Sequence, residues 1–576
     1  MGEGVTSRQS TLSRRKLLGR LGLGTVAGGL IASSEAVAKP PRALQRRPTR
    51  YQAAGTPGLP PGAVIALNRM GFGPAPGDIA AFDALGGDDA TRLAAYVAQQ
   101  LDPDSIDDSE VETRIADANF ESIDLSPDPD TYLAILWDWY TNDGAPSGNT
   151  SSSIPRDELI RVKFMRTMYS KRQLVEVMAD FWHDHFNVYS SVSSHVRAPL
   201  PHFDMVVRLE LLGNFRTLLE SVSRSTSMLR YLDNYTSSNA GPNENFSREL
   251  FELHTLGAEN YLGVLPQSEV PKDTNGIPIG YVDADVFEST RCFTGWSYSY
   301  GPDDDGDTGL FYYRFPWHDR FQKLVLGNFI PADQENLKDG RDVLDALAAH
   351  PGTGRHIARK LCRKFIADDP PQAVVDAAAA VFTAQWQAPD QIKQVLETIL
   401  LSNEFLSTWG EKTKRPLEIV AGALRAGGVD WTLKMEDSDT NSLLSRFRDA
   451  GQYFFEWPAP NGYPDVRDAW KSMTPRVQGW RLVNWLIDMD DNNGGYYVDI
   501  VAETPNGVRS ANELSDYWID RILGRPMDAD DRDEIVEFMA QGINPDLDFD
   551  LNDENIADRV RAMAGVLFMS PNFLFR

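Results

Sequence analysis

Three short stretches concentrate the residue types that bind metal ions or move protons. The first, FWHDHFNV at 181 to 188, holds His183, Asp184 and His185 between Phe181, Trp182 and Phe186. Aromatic neighbours draw these groups inward, where they are costly unless a metal ion, a substrate or protein hydrogen bonds pair with them. At roughly 100° per residue, Glu176, Asp180, His183, Asp184 and Asn187 share one polar face, and His185 falls about 200° from His183 among Leu174, Met178 and Phe181. An inward His185 is a core imidazole needing two partners. If the helix instead ends at His183, both histidines lie on one side of an extended segment and could bind one metal ion.

The second stretch is NENFSRELFELHTLG, 243 to 257, in which Asn245, Glu249 and Glu252 form a stripe beside Phe246, Leu250 and Leu253. Carboxylates one turn apart hold a hard cation or share a proton, and either shifts their pKa values. The alternative is a solvated acidic edge beside Arg248. His254 lies about 140° from Glu249, so one ion takes both only if the helix unwinds before Gly257. In the third stretch, FPWHDRFQKLVLG, His318-Asp319 follows a Pro-Trp step and cannot be mid-helix. An imidazole beside a carboxylate suits a metal ligand or a general base with its orienting partner, the alternative being a capping Asp next to an exposed His. All 8 histidines lie between His183 and His356. Acidic loops at 303 to 309 and 546 to 555 alternate carboxylates, but Leu551 stands where a calcium loop needs Gly. No GxSxG, Walker, dinucleotide-glycine or HExxH pattern occurs, so no nucleotide cofactor is expected.

Helices must position these groups. Helical periodicity dominates from Ala63 onward: a helix opens at Asp157 and runs through Arg172 and beyond, Gly257 closes the second stretch, and two helices part at Pro351-Gly352. Strand signals are limited to GWSYSYG and GLFYYRFPW. The expected class is mainly α, a large multi-helical globular protein with few short strands. Its 576 residues, 42% hydrophobic with 13 Trp, suffice for two lobes. We place these at 63–410, with the His/Glu stretches, and 411–576, with a boundary near Trp409 to Lys414. The aromatic, Pro-rich loop 451 to 470 either packs between lobes or lines a cleft. Cys292 and Cys362 form one disulfide or remain two buried thiols.

Residues 1–38 read as an export signal: Ser13-Arg14-Arg15-Lys16-Leu17-Leu18 has the twin-arginine form, an apolar run of about fifteen residues follows, and Ala36-Val37-Ala38 is a small-x-small end. The run is too short and Gly-rich for a membrane anchor. The twin-arginine route exports folded proteins to the periplasm or beyond, which permits a cofactor to be loaded first. A Pro/Gly/Arg-rich linker, 39–62, follows. The net charge of −27 argues against nucleic acid or an anionic membrane surface as partner.

ALNRMGFGP, FWHDHFNV, NENFSRELFELHTLG, YVDADVFESTRCFTGW, HDRFQKLVLG, DVLDALAAHPGTGRHIARKLCRKFIADDPP and GQYFFEWPAPNGYPD occur in the order of a bacterial family, and over roughly 63 to 576 the chain resembles the domain-of-unknown-function 1800 family (DUF1800). The resemblance implies an exported, largely helical protein often encoded beside a sulfatase-like partner. Its motifs fall on His183, Asp184, His185, Asn243, Glu244, Asn245, Arg248, Glu249, Glu252, His254, Asp285, Thr294, Trp296, His318, Asp319 and Lys323. GYP at 462 to 464 departs from the usual Gly-Trp.

Two functions fit. One is a metal-dependent exported hydrolase in which His183, His185, His254 and His318 hold a divalent metal ion, and Asp184, Glu249, Glu252 or Asp319 ligates it or serves as base on its bound water. An iron or copper oxidoreductase fits the same ligands. The other is a non-catalytic cell-surface or assembly protein whose polar stretches are buried networks.

Overall fold

Helical periodicity becomes helix nearly throughout, and the departures sit beside the polar stretches. The computed structural model describes residues 58–301, 306–489 and 495–576. The export signal, most of the linker and the start of the acidic loop at 303 lie outside the described residues. No described helix is long and apolar enough to cross a membrane.

The protein is mainly α. Helix α1 spans Ser153–Tyr169 and α2 spans Gln173–His185. The sequence pattern runs one helix through Arg172, but the chain breaks there because Asp108 accepts hydrogen bonds from the Ser170 hydroxyl at 2.7 Å and the Lys171 N–H at 2.6 Å. Helix α3, Leu200–Glu210, packs on both. Helix α4, Asn245–Glu249, continues as a π-turn over Leu250–His254. Gly257 ends it at φ 87°, with its N–H on the Phe251 carbonyl at 3.0 Å. Helix α5 covers Asp283–Cys292.

The two expected strands, β1 (Trp296–Tyr298) and β2 (Phe311–Tyr313), pair antiparallel with Ser297 opposite Tyr312. A second hairpin, not expected from the sequence, joins β3 (Lys323–Val325) to β4 (Asn328–Ile330) through Leu326-Gly327, both at positive φ. Helices α6 (Lys338–Ala349) and α7 (Pro351–Phe365) part at His350, whose Nδ1 accepts the Gly352 N–H at 2.9 Å. Helix α8, Pro416–Ala426, is buried along its whole length.

One hydrophobic cluster runs from Ala63 to Leu574 and takes in residues of both expected lobes. Lys412 to Arg415, at the expected boundary, are buried. Cys292 and Cys362 are free thiols in the core, and burial pushes Cys362 up to about 12.

Replacing Asp108 with Ala leaves the Lys171 N–H without its acceptor at the α1–α2 break. Denaturant unfolding should show a loss of about 1–3 kcal/mol; an unchanged midpoint would mean that Asp108 does not set the break.

Candidate active site

Helix α2 buries its polar face. Glu176, Asp180 and His183 are each buried, and other helices supply their partners. Arg208 of α3 donates to both Glu176 oxygens at 2.9 and 2.8 Å and to Asp204 at 2.7 Å. His183 Nε2 lies 2.7 Å from Asp204. Arg415, just before α8, spans two carboxylates one turn apart, touching Asp180 and reaching Asp184 at 2.7 Å. Lys364 of α7 adds a contact of 3.2 Å to Asp180 and 3.5 Å to Glu418, and Arg576 pairs with Glu418 at 2.8 Å.

This sharing is unequal. Burial would raise Asp180, but Arg415 and Lys364 outweigh it and hold the carboxyl below the usual range. Burial also raises Asp184; Arg415 opposes, the Asp180 charge reinforces, and the carboxyl is pushed up to about 6.

The loop at 451 to 465 closes over the end of α2. Asn187 Nδ2 donates to the Trp457 and Ala459 carbonyls at 2.9 and 2.7 Å, and Ser190 N–H donates to Phe455 O at 2.8 Å. Gly462, at φ 69°, lies so close to α2 that a Cβ would collide with the Asp184 carbonyl oxygen. Tyr463 anchors the loop by its hydroxyl, which donates to Tyr453 O and accepts from Tyr453 N, each at 2.9 Å. The loop takes both expected roles: Phe454 packs in the core against Phe164 of α1, and Asn461, Tyr463 and Asp465 line a cleft. The cavity beneath holds about 170 Å³, and its charged walls are Asp184, Asp465, Lys360, Arg363, Lys364 and Arg415. Four cations face two carboxylates in a chain of net charge −27.

His185 sits on this wall. Its Nε2 is 3.1 Å from His254 O and its Nδ1 is 2.8 Å from Lys360 Nζ, so these partners assign the hydrogen to Nε2. Burial and Lys360 keep the imidazole well below its ordinary value. Because α2 runs through His185, the two histidines of the first stretch diverge, His183 to Asp204 and His185 to Lys360, and the shared-side arrangement does not form.

Of the remaining stretches, only His254 comes close to the first. His254 packs 6.0 Å from His185, ring to ring, with Nε2 buried and without a partner. Burial lifts Glu249 above the usual carboxylate range, Glu252 adding to it. Arg248 pairs instead with Glu244 and with Asp283 at 3.4 Å, and Asn245 Nδ2 donates to Leu232 O at 3.3 Å. His318 lies between Thr294 O at 3.0 Å and Asp339 at 3.2 Å, and Lys323 meets the same Asp339 at 2.6 Å. Arg291 grips Asp319 with two hydrogen bonds, at 2.9 and 3.1 Å. Asp285 accepts from Val282 N at 3.0 Å, Leu326 N at 2.8 Å and Gln267 at 2.7 Å, tying α5 to the β3–β4 hairpin. Trp296 is fully buried against Phe293. Among the described residues no three His, Cys, Asp or Glu side chains converge as metal ligands would.

Sequence reasoning missed Asp180, Asp204, Arg208, Lys360, Lys364, Arg415 and Asp465 as site residues. A signal existed: Lys360 and Lys364 stand one turn apart on α7, and Lys412, Lys414 and Arg415 cluster before a mostly apolar helix.

Burial holds His183 and His202 down to about 4 and His254 down to about 3, from an ordinary 6.5. Between these values and 6.5 the unfolded chain binds more protons, so stability falls as pH drops through that window. Asp184 acts with the opposite sign, its contribution present below 3.8 and lost as pH rises through about 6. His202, shifted by burial alone, isolates the imidazole effect. Denaturant unfolding at pH 7 and pH 5 should show wild type losing about 2 kcal/mol more than His202→Gln; equal losses would mean that His202 is not held neutral.

No curated protein and no solved structure matches the chain. The family described as "Protein of unknown function (DUF1800)" matches residues 65–575, nearly the whole chain, and the protein belongs to that family.

Proposed function

We propose that the cavity at the C-terminal end of α2 is the active site of an exported enzyme that acts on a small anionic substrate, with Asp184 exchanging the proton. The observation that supports this reading is one Arg415 spanning two carboxylates at the cavity: burial lifts Asp184 to about 6 against the pull of Arg415, while Asp180 stays charged. A carboxyl that changes protonation near neutral pH suits general acid–base work. Arg363, Lys364 and Arg415 supply the attraction for an anion. A space of about 170 Å³ admits a ligand roughly the size of benzene.

The metal-dependent hydrolase expected from the sequence narrows here to proton transfer at Asp184. No step is routed through a metal ion, because His183, His185 and His318 occupy separate environments and both His185 nitrogens are engaged. The buried-network part of the alternative reading fits His183, matched to Asp204, and the third stretch with Asp285. There His318, Asp319, Lys323 and Asp285 are matched within the protein and support the hairpin.

Calorimetric titration with small monocarboxylates and inorganic phosphate tests the reading. Wild type should bind one of these anions, more tightly at pH 5 than at pH 7 because protonated Asp184 no longer repels it. Arg363→Ala should weaken binding about tenfold to a hundredfold, the worth of one charged hydrogen bond. Absence of binding at either pH, or binding indifferent to Arg363, would contradict it.

A further inference from the structure

We infer that Lys360 is a covalent catalytic residue whose amine, held by His185 at the cavity wall, condenses with the carbonyl of a small 2-oxo carboxylate. The inference deepens the acid–base reading and rests on it.

The two cavity lysines of α7 differ in their partners. Lys364 is committed to Asp180 and Glu418. Lys360 forms no ion pair among the described residues, and its amine meets the lone pair of His185 Nδ1 at 2.8 Å. The Nε2 hydrogen bond to His254 O keeps that lone pair turned toward the amine. A lysine without a carboxylate partner, beside other cations and partly desolvated, is the kind that serves as a nucleophile. Burial lowers Lys360, Asp184 opposes, Arg363 assists, and the ammonium settles at about 8.

The same wall selects the substrate. Arg363 and Arg415 line the cavity with Lys360, so a bound carboxylate would present an adjacent carbonyl carbon to the amine. The cavity volume limits the compound to about six heavy atoms. In the condensation the ammonium gives a proton through a bridging water to the Asp184 carboxylate, and the neutral amine adds to the carbonyl carbon. A second proton moves from nitrogen to oxygen, giving a carbinolamine. Asp184 then returns its proton to the hydroxyl, which leaves as water. Ammonium and carbonyl become iminium and water, with no oxidant or reductant consumed.

The test is reductive trapping on the full folded chain: incubate with pyruvate or glyoxylate, add cyanoborohydride, and map the modified lysines by peptide mass. The expected result is labelling of Lys360 at least tenfold above the exposed Lys338 and Lys471, loss of that label in Lys360→Arg, and a several-fold decrease in Asp184→Asn. Should Lys360→Arg fail to fold, the wild-type peptide map decides alone. Labelling of Lys360 no greater than of Lys338 would overturn the inference. If anion binding by calorimetry survives that result, only the covalent step falls; if binding is also absent, the acid–base reading falls with it.

Discussion

Glu176, Asp180 and Asp184 repeat every four residues along one face of α2, and that face is turned into the protein. Three carboxylates cannot be desolvated together without cations, since removing one partner of a buried pair typically costs about 3–5 kcal/mol. Each therefore requires a base from elsewhere: Arg208 from α3, Lys364 from α7, and Arg415 from the segment before α8. Arg415 lies 231 residues beyond Asp184, so this requirement joins the two halves of the chain more specifically than apolar packing can. The break that Asp108 imposes after α1 lets α2 meet all three cations.

The chemistry follows from how the cations are divided. Asp180 receives two and stays charged; Asp184 shares one with it. The carboxyl left short of charge is the one facing the cavity, beneath a loop that only a glycine at 462 allows so close to the Asp184 backbone. Lys360 mirrors it among the bases, with a neutral imidazole where Lys364 has carboxylates. Both under-paired groups open onto one small space. The polar groups elsewhere, from Asp285 to His318 and Asp339, are matched and hold the β3–β4 hairpin on α5 and α6.

Much of this was legible in the residues. Periodicity placed most helices, Gly257 marked the end of the second stretch, the aromatic segments at 296 and 311 paired as strands, and the helical wheel turned His185 inward. The aromatic neighbours marked the end of the opposite face as drawn inward, but which groups would pair with its carboxylates was not legible. Its partners come from helices far away in sequence, and the hydrogen bonds that stop α1 come from Asp108. The π-turn at Leu250 and the Leu326-Gly327 hairpin carry weak local signals. The sequence singled out His183, Asp184, His185, His254 and His318 together, and of these only Asp184 and His185 line the cavity.

The central claim is that burial, only partly offset by an Arg415 shared with Asp180, leaves Asp184 protonated close to neutral pH. The direct measurement is a carboxyl titration by carbon-13 NMR on protein labelled at aspartate, with Asp184→Asn to assign the signal. The account predicts a midpoint near 6 that disappears in the variant. A midpoint at or below about 4, the ordinary aspartate value, would contradict it.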